Sequence, residues 1–401
     1  MKHGVVIVGG GIAGSALSIA LTRRGIKTTL VEREAHWAPL SSGLFIYSNG
    51  LLALDRLGVL DAICGNGWVS PDGGNLYLTA DGKDITRTIY PRIGERIPAI
   101  VGMWRAELHR VLSTELERLG VTVRLGVTPV EIDDRDAMRP VSVTLSDGTS
   151  LSCDVLVGAD GIRSVTRTHL FGAIEPAYTG FGVWRSTHRK PKNIDQKIML
   201  MGVGTRLGIM PISHDELYMF GTTREPGKPF YARDRWAAEM RRKFSGFAGP
   251  AAPLLAEITD ASQVFYTSVE EVHLPLPWSR GRAVLIGDAA HSSSPFMGQG
   301  GAMALEDALV LAAILGEATD IPAALTAFGA QRFERCKFVQ DASRRVGEAG
   351  ATEDAAASIR RNERMRSAAQ QDVNDFYARM AEPIMPSTNV HHSVQQGEPV
   401  I

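Results

Sequence analysis

Cysteine is scarce: Cys64, Cys153 and Cys336 are the only three in 401 residues. They stand far apart, with no C-x-x-C pair and no zinc spacing, which excludes a disulfide framework and fits small thiols in a reducing compartment. A surplus of one charge is also missing. The 43 Lys and Arg nearly balance the 44 Asp and Glu, giving a net charge of −1 with no basic run. That argues against a nucleic-acid partner and against an anionic membrane surface. No apolar run approaches the ~18 residues of a membrane helix. A strand pattern begins by Val5, which leaves no room for a signal peptide. No nucleophilic triad and no metal-ligand spacing is legible, so no metal is expected. These absences point to a cytoplasmic protein. A hydrophobic content of 44% is ordinary for a soluble globule, and the length allows one large domain or two interleaved ones.

What is present is concentrated first in Val5 to Arg33, VVIVGGGIAGSALSIALTRRGIKTTLVER. Val5-Val6-Ile7-Val8 has the pattern of a fully buried parallel strand. It runs into Gly9-Gly10-Gly11-Ile12-Ala13-Gly14, a G-x-G-x-x-G fingerprint. A helix follows to about Arg24 and stops at Gly25. A second strand, Thr28 to Val31, delivers Glu32. Gly9 allows the tight turn, Gly11 lets backbone approach a pyrophosphate, and Gly14 lets helix and strand pack closely. The helix N-terminus offers free N–H groups to phosphates. Glu32 can accept from both ribose hydroxyls of an adenosine. The order of strand, turn, helix, strand and acid predicts dinucleotide binding.

Further along, a helix is expected near Gly50 to Leu57 and short antiparallel strands over residues 66–100. Arg105 opens a helix with Leu108, Val111, Leu112 and Leu116 on one face. Val121 to Leu125 is a buried strand, and a small meander spans residues 130–154 with Asp147-Gly148 as a hairpin turn. Val155-Leu156-Val157-Gly158 leads into Ala159-Asp160-Gly161. Strand patterns fill residues 180–223, a helix is expected from Asp234 to Phe244, and Val264 to Leu274 holds one more strand. A buried strand at 283–286 ends in Gly287-Asp288. A loop with Pro295 and Gly298-Gln299-Gly300-Gly301 then enters a helix from about Ala302 to Leu315. Helices over residues 322–348 and 352–382 follow, the second charged and expected on the outside. The tail from Pro386 has no periodicity. Three strand ends, after Val8, Val157 and Ile286, carry Gly or Asp. Ligands of open α/β sheets sit at such ends, so one long ligand is implied.

Three motifs together resemble the single-component FAD-dependent aromatic hydroxylases, the group that includes the para-hydroxybenzoate, salicylate and 6-hydroxynicotinate hydroxylases. They are the fingerprint, VLVGADGIRSVTR at 155–167 and VLIGDAAHSSSPFMGQGGAMALEDA at 284–308. The resemblance implies an α/β fold: a Rossmann-like FAD-binding domain with an inserted antiparallel β-sheet substrate domain and C-terminal helices. The FAD-binding domain would comprise residues 1–75, 100–175 and 276–345, and the substrate domain residues 76–99 and 176–275. A C-terminal helix at 346–385 and a mobile tail at 386–401 would complete the chain. Gly9, Gly11, Ile12, Ala13, Gly14, Glu32 and Arg33 would hold the adenosine diphosphate half of FAD. Arg105 would contact the flavin or its phosphates, and Asp160 and Gly161, which match the family's second motif, would support both FAD and the passing nicotinamide nucleotide. Gly287, Asp288, Pro295, Gly298, Gly300, Gly301 and Ala302 would hold the flavin half. The resemblance sets His291 beside the ribityl chain without acid–base work.

The implied reaction is hydroxylation of a small phenolic or N-heteroaromatic acid through a C4a-hydroperoxyflavin, with NAD(P)H as transient co-substrate and O2 as oxidant. Only one fingerprint exists, so the nicotinamide nucleotide has no domain of its own. The substrate pocket is expected between the flavin and the inserted sheet, walled by alternate residues of 181–186, 207–212 and 217–222. Tyr218, His214, Arg185, Tyr47 and Pro295 are its candidate catalytic and substrate-contacting residues. Phe45 stands where the hydroxynicotinate enzymes carry a histidine. An epoxidase or tailoring oxygenase on a larger natural product, and a non-enzymatic flavoprotein-fold binding protein, are the alternatives. A homodimer is allowed.

Overall fold

Val5–Val8 has no exposed residue, as expected of a strand covered on both faces. It forms the middle of a six-stranded sheet in a computed structural model that describes residues 4–37, 42–135 and 139–384. The order is Ser279–Arg280, Ala283–Leu285, Val155–Gly158, Val5–Val8, Thr28–Glu32 and Thr122–Leu125. All pairs are parallel except the edge hairpin Ser279–Arg280. Val8 pairs with Gly158, and Gly158 with Leu285. The three strand tips singled out in the sequence are therefore immediate neighbours. The helices Ile12–Thr22 and Gly300–Glu317 pack on each other beside these tips. The expected meander is present as Pro129–Asp133, Val141–Leu145 and Ser150–Cys153.

A second sheet has seven strands: Val264–Glu271, Ala177–Arg189, Glu216–Arg224, Thr205–Pro211, Lys197–Met201, Gly74–Thr79 and Asp84–Ile89. It is antiparallel except at one place. Lys197–Met201 and Gly74–Thr79 run parallel. No hairpin joins these two segments, so no turn dictates their direction, and alternation alone specifies face but not polarity. One face carries Leu78, Trp184, Ile198, Leu200, Leu207, Ile209, Leu217 and Met219, which pack on the helices Trp236–Lys243 and Ala251–Glu257. The opposite face, period two along each strand, turns toward the nucleotide-binding sheet.

Several boundaries differ from the sequence reading. The first helix after Tyr47 is Ser48–Arg56, and a further one, Leu60–Asn66, follows Gly58. A short helix, Ala251–Glu257, lies in a stretch for which the sequence reading named no element. Pro253 stands in the first turn, where no intrahelical N–H is needed. The last helix, Ala355–Ala381, is not wholly external. Much of its charged middle is exposed, but Ser358, Ala369, Phe376, Tyr377 and Met380 are buried. Gln370 from the same helix exchanges two hydrogen bonds with the backbone of Ile89 (2.7 and 3.0 Å), closing an edge of the seven-stranded sheet. The tail from Pro386 lies outside the described residues. No helix among the described residues is long and apolar enough to cross a membrane.

Candidate active site

The two sheets enclose a cavity of about 330 Å³. One wall is built from helix N-termini: Gly11, Ile12 and Ala13 at one, and Gly300, Gly301 and Ala302 at the other. Both helices point the positive ends of their dipoles into it, which favours an anionic group there. Asp288, Pro295, Gly298, Gly161 and Arg105 complete this side. The facing wall comes from the seven-stranded sheet, with Val183, Arg185, Arg206, Tyr218, Phe220 and Thr222, joined by Phe45.

The three fingerprint glycines divide by task. A Cβ on Gly9 would stand 2.4 Å from the Ala159 oxygen, and one on Gly14 only 1.9 Å from the Gly9 oxygen. These two are glycine because protein lies against them. A Cβ on Gly11 would meet nothing within 4 Å. Gly11 is bare toward the cavity, as a turn against which a nucleotide lies must be. The left-handed Gly287 (φ +59°) seats its turn on Ala13, 3.0 Å from where its Cβ would be. Asp288, next in the chain, opens into the cavity. A pyrophosphate cradle, a free carboxylate and a glycine-rich helix entrance in one cleft fit FAD.

Other residues singled out in the sequence are placed differently. Glu32 accepts from the Gly10 N–H at 2.7 Å and the Glu34 N–H at 2.9 Å, so it fastens the fingerprint turn while keeping spare lone pairs. Arg33 is exposed and pairs with Glu34 rather than bordering the cavity. Asp160 does not reach it either: its carboxylate accepts from the Ser164 hydroxyl and from the Thr166 N–H and hydroxyl, capping its own loop. Arg167, in the same motif, is buried and donates to three carbonyls, those of Ala289, Ile162 and Ile174. His214 is exposed in the turn after Pro211 and outside the cavity lining. Tyr47 is buried behind the lining, where its hydroxyl accepts from Lys197 Nζ at 2.9 Å. Pro295 and Phe296 line the cavity, and Met297, next in the chain, does not.

His291 is also absent from the lining. It lies in the core and bonds Asp307 Oδ2 through Nε2 at 2.6 Å. The same oxygen accepts from the Gly287 N–H at 2.9 Å, and Oδ1 takes Arg332 Nε at 2.7 Å. Burial pushes the Asp307 carboxyl up, but His291 and Arg332 outweigh it and hold it at about 2. His291, Asp307 and Cys336 offer three potential ligand atoms within 4.8 Å of one another. Arg332 already supplies the counter-charge there, so an ion-pair network accounts for the group. Ser186, His188 and Glu257 form a hydrogen-bonded line (2.8 and 3.1 Å) that the sequence did not reveal. Ser186 is buried mid-strand and does not line the cavity between the two sheets.

Lys197 and Arg206 were missed altogether. The signal was available: each is a lone cation in an otherwise apolar strand, Lys-Ile-Met-Leu-Met and Arg-Leu-Gly-Ile-Met. Period two puts both on the cavity face.

Comparison with known proteins agrees with this geometry. A family model described as "FAD binding domain" matches residues 2–346. The aurachin C monooxygenase/isomerase of Stigmatella aurantiaca is 34% identical over 91% of this chain and 95% of its own length. The 2-heptyl-3-hydroxy-4(1H)-quinolone synthase of Pseudomonas aeruginosa is 35% identical over 86% of this chain and 89% of its own. Among solved structures, Klebsiella pneumoniae HpxO in complex with FAD and uric acid superposes with a TM-score of 0.83 at 27% identity, covering 94% of this chain and 97% of that one. The chain belongs to the FAD-binding-domain family and is an FAD-dependent monooxygenase.

Proposed function

We propose that this monooxygenase inserts one oxygen atom into a small phenolic or N-heteroaromatic ring, with NAD(P)H as electron donor, and works in the cytoplasm. The observation that carries the reading is the aromatic wall facing the two helix N-termini. Phe45, Tyr218 and Phe220 pack on one another, 5.6–6.1 Å centroid to centroid, and give the cavity a continuous aromatic wall against which a substrate ring can lie. The relatives point the same way, since the names of two of them specify a quinolone and uric acid. Three free cysteines, two of them buried, suit a reducing compartment.

In this reading Gly11 and the helix beginning at Ile12 hold the FAD pyrophosphate. Asp288 would accept a hydrogen bond from the ribityl chain, and Gly298, Gly300 and Gly301 would hold the flavin ring. Bound FAD supplies the electron storage and the activated oxygen. The chain does the rest: it orients the substrate ring and keeps water away from it. Gly43 and Gly208 make room for the wall, because a Cβ on either would stand within 2.4 Å of the Tyr218 or Phe220 ring. Burial raises the Tyr218 phenol, against the lowering influence of Arg185 and Arg105, so it stays protonated and able to donate.

The reading is tested by following NAD(P)H oxidation against a panel of phenols, hydroxypyridines and quinolones, with product mass. A gain of one oxygen atom is expected; oxidation that never yields such a product contradicts it. Tyr218→Phe is expected to lower kcat by about ten- to a hundredfold with FAD occupancy unchanged. Unaltered steady-state kinetics would remove Tyr218 from the reaction.

A further inference from the structure

A second cavity, of about 300 Å³, lies between the first turn of the helix Ser48–Arg56, residues 91–93 and the end of the last helix. It shares no lining residue with the first. Pro91, Ile93, Ala378 and Met380 make much of its wall apolar. Asn49 also lines it and is 4% exposed, yet its Oδ1 is buried without a partner. On the other branch of the amide, Nδ2 donates to Gln299 Oε1 at 2.9 Å and to Glu306 Oε1 at 3.3 Å. The carboxylate fixes which way the amide is turned, since a reversed amide would set oxygen against oxygen. A buried carbonyl oxygen without a donor is costly, and native folds keep few of them.

The other polar groups of the wall are neutral donors. Ser48 stands beside Asn49, and Asn374 comes from the last helix. Asn374 Oδ1 already accepts from Gln370 Nε2 at 2.9 Å, which leaves its own N–H groups to donate. The lining holds no carboxylate, and its cation, Arg92, is exposed and donates to the Glu95 oxygen. The wall therefore offers one unmet acceptor, a few donors and an apolar floor.

Two residues of this cavity also grip Gln299. Asn49 donates to its Oε1, and its Nε2 donates to the Tyr377 hydroxyl at 3.2 Å. Gln299 is 1% exposed, and its neighbours Gly298 and Gly300 line the first cavity on the side that fits FAD. The backbone of Gln299 thus belongs to the flavin turn, while its side chain is held by two walls of the second cavity.

We propose that the second cavity is an effector site for a small neutral lactam, an amide N–H and carbonyl on a compact apolar ring, and that filling it tightens FAD binding through Asn49 and Gln299. The lactam N–H donates to Asn49 Oδ1. Its carbonyl accepts from Asn374 or Ser48, and its ring lies against Pro91, Ile93 and Met380. No covalent bond changes and no proton is exchanged. An amide that accepts at oxygen donates more strongly at nitrogen, because hydrogen bonds in a chain polarise one another. The Asn49 bond to Gln299 gains, and the turn carrying Gly298 and Gly300 is held more firmly. The effect is mutual: FAD must tighten the lactam by the factor that the lactam tightens FAD.

The probes are 2-pyrrolidone and N-methyl-2-pyrrolidone, which share ring and carbonyl and differ in the N–H. Soaked into crystals of the FAD-loaded protein, 2-pyrrolidone should lie in the second cavity with its nitrogen on Asn49 Oδ1. In solution it should bind about tenfold more tightly than the N-methyl compound, the worth of one hydrogen bond. At saturating 2-pyrrolidone the FAD dissociation constant, read from flavin fluorescence, should fall about fivefold, a modest coupling between sites. Ala378→Phe, which puts a ring into the cavity from an exposed helix position, should lose 2-pyrrolidone and its effect on FAD. Asn49→Leu should lose the preference for the N–H compound. Equal binding of the two lactams, density for 2-pyrrolidone in the first cavity alone or in neither, binding that persists in Ala378→Phe, or an FAD affinity unmoved by bound lactam overturns the proposal. The soak and the comparison of the two lactams use the unaltered protein, so they decide the matter even if a variant fails to fold. A protein that hydroxylates none of the rings offered to it would sink the substrate reading and leave these outcomes as they are.

Discussion

Asp307→Ala is expected to cost about 3–5 kcal/mol of stability, the range for breaking a fully buried charge pair by removing one partner. The size follows from what the carboxylate holds. Asp307 and Arg332 have side chains 0% and 1% exposed, so solvent does not screen the loss. Three donors lose their acceptor together: Arg332 Nε, His291 Nε2 and the Gly287 N–H. Glu306 also pairs with Arg332, at 2.9 Å, and keeps that guanidinium partly compensated. The Gly287 N–H has no such substitute. Gly287 precedes Asp288 at the cavity, so the variant should lose FAD as well as melt early, whereas Arg332→Met should lower stability with a smaller effect on FAD. Thermal melting together with the flavin-to-protein absorbance ratio after desalting checks both. A variant with native stability would mean that the network carries no weight. The pH dependence has a definite sign: a carboxyl held down at about 2 gives stability that is present above its unfolded value and is lost as pH falls toward 2.

This network also marks the limit of what the sequence could tell. The neighbouring strand tips were legible because the determinants are local. Val5–Val8, Val155–Gly158 and Ala283–Leu285 are short runs buried on both faces, each followed by a turn that only glycine or a small residue fits. Glu306 and Asp307, by contrast, sit inside a quoted motif but read as ordinary helix charges. Their meaning comes from Arg332, 25 residues beyond Asp307 on the next helix, and from a glycine 20 residues before it. Asp160 erred in the other direction. An acid at a strand tip looks ligand-facing, yet a Ser and a Thr within six residues take up its oxygens. Tyr47 pointed to the right neighbourhood and the wrong layer. It is behind the lining because Phe45, two residues earlier on the same face, stands in front of Lys197 at the cavity. The parallel pairing in the second sheet and the burial of Tyr377 depend on contacts between residues more than 100 apart in the chain, about which alternation is silent.

Gly11→Leu should separate folding from cofactor binding more sharply than any other single change. Gly11 caps the helix Ile12–Thr22 with φ −72° and ψ −167°, extended backbone that any L-residue adopts. A Cβ there meets no atom within 4 Å. The apo fold should lose no more than about 1 kcal/mol, the usual scale of an N-cap change. The new side chain would fill the space assigned to the pyrophosphate and cover the N–H groups at the helix start. FAD affinity should then fall by on the order of a hundredfold or more, roughly 2.7 kcal/mol, and the protein should purify folded and nearly colourless. Gly14→Ala is the contrasting case. Its Cβ would stand 1.9 Å from the Gly9 oxygen, so helix and strand must part. That change should weaken the fold itself, by about 1–3 kcal/mol or more, and FAD only as a consequence. Melting of the FAD-free proteins and flavin retention in the loaded ones give the two readouts. If Gly11→Leu keeps wild-type flavin occupancy, the fingerprint turn does not face the nucleotide. If it unfolds while Gly14→Ala does not, the assignment of the glycines to cavity and core is reversed.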